Sequence, residues 1–229
     1  ISLHSLMKYI LNKIQKILIL LYSFVFCLRI FPFKLAIKLP IYIHPQIKLG
    51  AIRKGCIIIK GDNISRGMIK IGFYTSEGLH YSNGYLSIHK QSYLIFKGSA
   101  TFAKGVSIRI DNGEMVIGNN FFCNANCFFR CNDLIKFGEN VLIGWDVSFN
   151  TTDGHLILYK GKTKKNTGPI TIGNHVWIAS YSKIAKNTAI SNNSVVAQQA
   201  LVTKTFIQDG ILIGGIPASV LSENISWKG

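Results

Sequence analysis

The most constraining feature of this chain is an aliphatic residue that recurs at every sixth position near the C-terminus. The residue directly after each aliphatic is small, and the residue four positions after each is small or β-branched, except at Phe206. An α-helix requires apolar recurrence at about 3.6 residues and a lone strand at about 2, so a strict step of six fits neither. The aliphatic positions are Ile172, Ile178, Ile184, Ile190, Val196 and Val202.

A step of six suits a chain that turns a corner at regular intervals and sends each leading aliphatic into one shared interior. The spacing therefore predicts an all-β fold, namely a parallel β-helix with three short strands in each turn. Spacing alone does not give the hand of the helix.

Length and composition are consistent with one domain or with one domain and an appendage. The chain has 229 residues, of which 48% are apolar, and this is ample for a core. Its five cysteines are an odd number for a disulfide framework, and none are spaced as C-x-x-C. We expect buried apolar cysteines in a reducing compartment. A zinc site is the less favoured alternative, because a matching second pair of ligands is missing.

The formal net charge of +16 is compatible with nucleic acid, membrane headgroups or anionic small molecules as partners. The basic residues are spread along the chain, and no zinc-finger, helix-turn-helix or RNA-recognition signature accompanies them. We therefore expect no nucleic-acid partner.

Residues 1–40 differ in composition from residues 41–229, and we predict these as two segments. Basic residues surround an uncharged apolar run from Ile17 to Leu28, which is shorter than the about 20 residues needed to span a bilayer. We expect one or two helices here. Two interpretations remain open: residues 7–40 contact the anionic inner face of the cytoplasmic membrane, or they pack on the β-helix or a neighbouring subunit.

The six-residue step varies in regularity along the second segment. The step is irregular in residues 41–115, which we interpret as irregular early turns of the same β-helix. It is regular from Ile117, is interrupted once by the lysine-rich residues 155–169, and resumes at Ile172. A single insertion in a periodic coil predicts a projecting loop, and such loops often carry function. The period ends at residues 214–218, before a short C-terminal tail.

Six short stretches occur in an order and spacing that are specific together, although each is weak alone. They are Ile117-Gly118-Asn119-Asn120, Ile143-Gly144-Trp145-Asp146, Asp153-Gly154-His155, Ile172-Gly173-Asn174-His175-Val176-Trp177-Ile178, Val202-Thr203-Lys204 and Gly215-Ile216-Pro217-Ala218. They resemble the hexapeptide-repeat acyltransferases with a left-handed β-helix, and among these the sugar O-acetyltransferases of bacterial surface polysaccharides. The resemblance covers about residues 115–220 and implies the left hand, which is an exception to the usual right-handed crossover.

The resemblance assigns the general base to His155, in the turn that opens the insertion. A histidine is suitable because its ordinary pKa of about 6.5 leaves it neutral near pH 7. Asp153 would orient the ring or the loop, or it is simply a turn residue. Asn150 would hydrogen-bond the acceptor or the tetrahedral intermediate, or it is a corner asparagine that tolerates a left-handed backbone.

Three further polar residues are weaker candidates. Asn124 and Asn126, one turn earlier, are alternatives for the role of Asn150. His175 lies within a regular turn, and we expect it at the surface or at a subunit contact rather than at the substrate.

The resemblance implies acetyl-CoA as acyl donor, bound in a groove between two β-helices of a homotrimer. Small corner residues would let the pantetheine arm lie close to the backbone, and the Lys204 ammonium would pair with a phosphate. The paired glutamines Gln198 and Gln199 depart from the smaller residues that are usual there and would fill part of the groove. The implied contacts are Trp177, Ala179, Ser180, Ala197, Gln198, Thr203, Lys204 and Pro217.

These features favour an acetyl-CoA-dependent O-acetyltransferase that acts on a sugar hydroxyl during biosynthesis of a capsule, O-antigen or lipooligosaccharide. The acceptor is a sugar or glycan, either free or lipid-linked, and the enzyme is expected in the cytoplasm or at the inner face of its membrane. No metal is implied. N-acetylation of a nucleotide-linked amino sugar is the main alternative. A zinc hydratase and a non-enzymatic scaffold rank lower, because the first needs three converging histidines and the second needs no insertion.

Overall fold

The computed structural model describes residues 3–61, 63–74 and 78–228. The outer limits of the predicted segments, residues 1 and 229, lie outside these ranges. The elements within the described ranges are α1 (Leu3–Ile30), α2 (Phe33–Ala36), β1 (Ile41–Ile43), β2 (Lys48–Leu49), β3 (Ile57–Ile59), β4 (Ile69–Ile71), β5 (Tyr85–Ile88), β6 (Tyr93–Phe96), β7 (Ala100–Phe102), β8 (Ser107–Ile110), β9 (Glu114–Ile117), β10 (Phe121–Cys123), β11 (Phe128–Cys131), β12 (Leu134–Phe137), β13 (Leu142–Ile143), β14 (Ser148–Asn150), β15 (Ile157–Tyr159), β16 (Lys162–Lys164), β17 (Ile170–Ile172), β18 (Trp177–Ile178), β19 (Lys183–Ala185), β20 (Thr188–Ile190), β21 (Val195–Val196), β22 (Leu201–Val202), β23 (Leu212–Gly215) and β24 (Ala218–Ser222).

Apart from β15 and β16, which pair only with each other, the strands form three largely parallel sheets that the chain visits in rotation. Sheet A has the order β1-β4-β7-β10-β13-β18-β21-β23-β24, sheet B the order β2-β5-β8-β11-β14-β19-β22, and sheet C the order β3-β6-β9-β12-β17-β20. Each strand therefore pairs with the strand one full turn away, and only β24 joins sheet A in the antiparallel sense. This is the arrangement of a three-sided parallel β-helix, and strands from residues 41–115 belong to the same three sheets as the later ones.

The sixfold step explains which side chains fill the interior. All six leading aliphatics are at most 2% exposed. The positions four residues later are also buried, including Ser182, Thr188 and Ser194. Ser182 remains satisfied because its hydroxyl donates to the carbonyl oxygens of Ala179 and Ala197, both at 2.9 Å. Each six-residue unit thus contributes two inward side chains, one large and one usually small.

Asparagines at equivalent places in several turns shape the corner between sheets C and A. Asn120, Asn140 and Asn193 adopt left-handed φ values of 54° to 57°, a region that asparagine tolerates better than most residues. The preceding asparagines link one turn to the next, since Asn174 Oδ1 accepts the backbone N–H of Glu139 at 2.9 Å. A side chain at Gly118 would overlap the backbone of the neighbouring turn at Gly138, which explains the glycine.

Phenylalanine rings fill the middle of the β-helix interior. Phe129 stacks on Phe149 at 5.0 Å between ring centroids, and both are fully buried. Phe137 meets Phe149 edge-on at 5.1 Å. Aromatic pairs at these separations add stability beyond the area that they bury.

Phe129→Ala is therefore expected to lower the free energy of unfolding by about 3–5 kcal/mol, because it opens a cavity among closely packed rings. Chemical denaturation followed by circular dichroism would measure this change. Phe122→Ala, at a half-buried outward position of β10, is the matched control and should cost about 1 kcal/mol. Equal costs for the two variants would contradict this description of the core.

The five cysteines are buried and free of disulfides, as the sequence predicts. Burial raises the pKa of the Cys131 thiol to about 12 and raises the pKa of Cys123 well above its usual value. These thiols remain protonated at neutral pH and act as small apolar side chains.

The N-terminal helix is longer than the uncharged run of twelve residues suggests. α1 extends over 28 residues because Lys13 and Lys16 are good helix formers and do not interrupt it. Its stretch Met7–Ile30 is long and apolar enough to cross a membrane by length and composition. The C-terminal part packs on β1, where the Ile43 N–H donates to Ser23 Oγ at 3.0 Å. Most of the N-terminal part is exposed.

Candidate active site

The insertion forms a projecting antiparallel hairpin at the corner between sheets B and C. β15 and β16 pair with each other, and residues 153–165 are exposed throughout. The base of the hairpin is closed by two backbone hydrogen bonds, from Asp153 N–H to the Asn166 carbonyl at 2.9 Å and from Gly168 N–H to the Thr151 carbonyl at 3.0 Å. Thr151 is fully buried, so the hairpin leaves the β-helix from a fixed point.

Asp153 anchors this hairpin to the next turn. Its carboxylate lies 3.0 Å from the Lys186 ammonium, which also donates to the Lys165 carbonyl at 3.0 Å. Lys165 in turn lies 3.5 Å from the Asp133 carboxylate. Lysine side chains therefore connect both arms of the hairpin to adjacent turns.

His155 lies two residues beyond this anchor and is exposed. Within the part of the chain that the structure describes, the imidazole has no side-chain hydrogen bond, and the Asp153 carboxylate is directed to Lys186 instead. In a single chain, Asp153 thus fixes the hairpin that carries His155 rather than the imidazole ring itself. A solvent-facing imidazole on an anchored loop can accept a proton from a bound hydroxyl.

Asn150 lies at the end of β14, beside the start of the hairpin. It pairs in register with Arg130 of β11 and Ala185 of β19. Because Phe149 points into the core, Asn150 faces outward from sheet B, where it is half-buried. It lies on the same side of the β-helix as the hairpin.

Four of the eight predicted cofactor contacts line one cavity of about 330 Å³ at the corner between sheets A and B. They are Trp177, Ala179, Ser180 and Gln198, and they are joined there by Asn124. The turns stack closely at this corner: a side chain at Gly144 would lie 2.6 Å from the Ser180 backbone nitrogen. The result is a shallow, mainly apolar slot with a few polar groups, which is typical of small-molecule sites.

The remaining four predicted contacts lie outside this cavity. Ala197 belongs to the same corner, and Pro217 is exposed in the turn between β23 and β24. Thr203 and Lys204 follow β22 at the other end of sheet B, and the Lys204 ammonium lies 5.4 Å from the Phe206 ring centroid. Thr203 and Lys204 therefore lie at the same end of sheet B as the hairpin.

The candidate catalytic residues and the cavity thus occupy opposite ends of the strands of sheet B. The three-residue strand β19, Lys183–Ala185, lies between Ser180 of the cavity and Lys186 beside the hairpin, so these ends are separated by roughly 10 Å or more. Within one chain His155 and the cavity do not meet. A second copy that presents its hairpin to this cavity would bring them together.

The structure places two further residues in these sites that are not among the predicted site residues. Trp145 lines the cavity, and its backbone N–H donates to Ser180 Oγ at 3.2 Å. Lys186 is the partner of Asp153. Trp145 was detectable from its place after Ile143-Gly144, whereas the ion pair depends on the register of β14 and β19.

His175 packs against the C-terminal tail and not against the cavity. Its ring stacks on Trp227 with centroids 4.2 Å apart, and its Nδ1 lies 3.1 Å from Asn193 Oδ1. Trp227 also donates its indole N–H to the His175 carbonyl at 3.0 Å. His175 thus secures the C-terminal tail. Among the described residues, no group of three histidine, cysteine, aspartate or glutamate side chains is placed to hold a metal ion.

Comparison with known proteins gives an uncharacterised relative over most of the chain and an acetyltransferase over about half of it. No protein-family model matches the chain. An uncharacterised 24.8 kDa protein in the cps region of Klebsiella pneumoniae is 28% identical over 200 residues, or 87% of this chain and 86% of that protein. Galactoside O-acetyltransferase of Escherichia coli K12 is 36% identical over 111 residues, or 47% of this chain and 53% of that enzyme. The chain thus spans about half the length of the latter.

Among solved structures, the polySia specific acetyltransferase NeuO aligns over 80% of this chain and 89% of its own, with a TM-score of 0.54 and 21% identity. This likeness shows a shared fold. Together with the sixfold repeat and the three parallel sheets, these relatives support the resemblance to the hexapeptide-repeat acyltransferases.

Proposed function

We propose that this protein is an acetyl-CoA-dependent O-acetyltransferase that modifies a sugar hydroxyl in the biosynthesis of a bacterial surface polysaccharide. The observation that carries the proposal is the cavity at the corner between sheets A and B, where Trp177, Ala179, Ser180 and Gln198 meet. Its apolar slot suits a pantetheine arm, and its polar groups suit the amides of that arm. Similarity to galactoside O-acetyltransferase supports acetyl transfer, and the relative from a cps region supports a polysaccharide context.

His155 acts as the general base in this proposal. The neutral imidazole accepts the proton of the sugar hydroxyl while the hydroxyl oxygen attacks the thioester carbonyl carbon. The carbon–sulfur bond then breaks, and the departing thiolate takes the proton from the imidazolium. The products are an acetyl ester and free coenzyme A, without a covalent acyl-enzyme. Asn150 is the candidate donor to the acceptor or to the developing oxyanion.

The active enzyme is a homotrimer with left-handed β-helices in this proposal. The hand and the assembly come from the resemblance, and the separation of His155 from the cavity along sheet B supports the assembly. In a cyclic trimer each hairpin can lie against the cavity of the next copy, which gives three equivalent sites. Lys204 and Thr203 then approach the cofactor from the same copy as His155.

The enzyme works at the inner face of the cytoplasmic membrane. α1 exposes a continuous row of large apolar side chains, among them Leu11, Leu18 and Val25, each at least 57% exposed. Residues 1–61 contain ten lysines and arginines and no acidic residue. An exposed apolar helix with this charge is suited to an anionic bilayer, whereas another copy would carry the same positive charge.

Release of free thiol from acetyl-CoA in the presence of candidate saccharides tests this function. We expect release that depends on a sugar acceptor and a product whose acetyl group is removed by hydroxylamine, as an ester is. A hydroxylamine-resistant product formed only with amino sugars would identify the N-acetyltransferase instead. A protein that does not bind acetyl-CoA would exclude both activities.

A further inference from the structure

A second cavity, of about 350 Å³, lies between α1 and the first turns of the β-helix. α1 contributes Asn12, Gln15, Lys16 and Ile19 to its lining, and these residues lie on one side of the helix at spacings of three and four. Three of the four are polar and supply two amides and one ammonium group. This side of α1 is therefore more polar than the row of apolar side chains exposed elsewhere on the helix.

The β-helix contributes the polar residues His44, Tyr74 and Lys104 to the same cavity, together with Gly72 and Phe73. Lys104 donates to the phenol oxygen of Tyr81 at 2.9 Å, so a neutral group rather than a carboxylate is its partner. The ion pairs found among the described residues involve neither Lys16 nor Lys104. Two lysines therefore line the cavity, and neither has a carboxylate partner within the described residues.

His44 adds a neutral donor to this set. Its Nδ1 accepts the backbone N–H of Gln46 at 3.2 Å, which assigns the ring proton to Nε2. Burial and the nearby Lys104 charge lower the pKa of His44, which keeps the ring uncharged at neutral pH. Ammonium groups, amide N–H groups, a phenol and an imidazole N–H together are suited to phosphate oxygens.

The other flank of α1 borders an apolar groove of about 400 Å³. Leu20, Leu21 and Phe24 line it together with Ile37 and Leu39. A ligand with a phosphate and a hydrocarbon chain could use both flanks of the helix, with its charged end in the cationic cavity and its chain along α1. A soluble nucleotide or a free sugar would leave this apolar surface uncovered.

The cationic cavity and the acyl-donor cavity lie along the same corner between sheets A and B. Lys104 follows β7, and Gly144 of the acyl-donor cavity follows β13, with β10 between these two strands in sheet A. Adjacent strands are about 4.8 Å apart, so two steps correspond to about 10 Å. A sugar attached to a phosphate bound near Lys104 would extend toward the thioester.

We propose that the cavity formed by Lys16, His44 and Lys104 binds the phosphate of a lipid, and that the acceptor is a saccharide carried on a lipid phosphate. This inference rests on the proposed acetyl transfer and names its substrate class. A membrane phospholipid headgroup shares the same phosphate chemistry, so the test includes both kinds of lipid.

Calorimetric titration of the full-length protein tests the inference with farnesyl diphosphate and dihexanoyl phosphatidic acid as soluble lipid phosphates. We expect at least one of them to bind at least about 10-fold more tightly than inorganic pyrophosphate or phosphate, because the chain contacts α1. Preference for the isoprenoid diphosphate indicates the lipid-linked acceptor. Preference for phosphatidic acid indicates a headgroup site and overturns the acceptor assignment.

The variant Lys16→Gln/Lys104→Gln should bind these lipids about 10-fold or more weakly, since two charge-assisted contacts are lost. The matched control Lys90→Gln/Lys136→Gln removes the same charge from exposed positions away from α1 and should change affinity less than about 2-fold. Equal losses in the two variants, or no lipid binding by the native protein, would overturn the site. The affinity of the native protein for acetyl-CoA is measured in parallel. If the native protein binds acetyl-CoA but not the lipids, only this inference fails. If the native protein does not bind acetyl-CoA, the proposed function is refuted.

Discussion

His155→Ala is expected to reduce the turnover of acetyl transfer by about 10²–10⁴-fold, because the sugar hydroxyl loses the group that accepts its proton. The fold and the affinity for acetyl-CoA should be retained. His155 is exposed on the hairpin, and no described core residue depends on its ring. Steady-state kinetics with a saccharide acceptor, together with a thermal unfolding midpoint and calorimetric titration of acetyl-CoA, would measure the three quantities.

His175→Ala is the matched control for this substitution. It removes an imidazole that stacks on Trp227, so it should loosen the C-terminal tail while leaving turnover within a few-fold of the native value. Near-normal turnover in the His155 variant would refute its role as the base. An equal loss in the His175 variant would show that the assignment between the two histidines is wrong.

Ala179→Phe is expected to weaken acetyl-CoA binding by about 100-fold or more, because a ring would occupy the slot between Trp177 and Ser180. The fold should survive, since Ala179 is half-buried and faces the cavity rather than the core. Titration of acetyl-CoA measures the effect. Ala189→Phe, at a half-buried position of β20 in sheet C, is the control and should leave acetyl-CoA affinity unchanged. If Ala179→Phe binds acetyl-CoA normally, the donor lies elsewhere.

The sixfold step predicts the interior well because it follows directly from the geometry of a repeated corner. The leading aliphatics from Ile172 to Val202 all point inward. The same step also indicates which positions share a sheet, and the predicted set of cofactor contacts does not take this into account. Positions 18 apart, such as Trp177 and Val195, stack in one sheet, whereas positions six apart lie in different sheets. Ala179 and Ala197 therefore share a corner, and Thr203 lies at the next one.

Other features could not be predicted from the sequence, because the sixfold step does not determine them. The ion pair of Asp153 and Lys186 joins residues that are distant in the chain and depends on how the insertion leaves the register of sheet B. The return of Trp227 to His175 involves a tail without a period. The full length of α1 does not follow from the uncharged run, because charged residues limit an apolar run but do not end a helix.

The central claim is that each active site combines His155 of one copy with the cavity of another. Coassembly of His155→Ala and Ala179→Phe chains tests it most directly, since each inactive chain supplies what the other lacks. Random mixing in a cyclic trimer should restore roughly one quarter of the native turnover, because one in four neighbouring pairs has both groups intact. Mixed trimers that remain inactive, with both parent chains folded, would contradict the account.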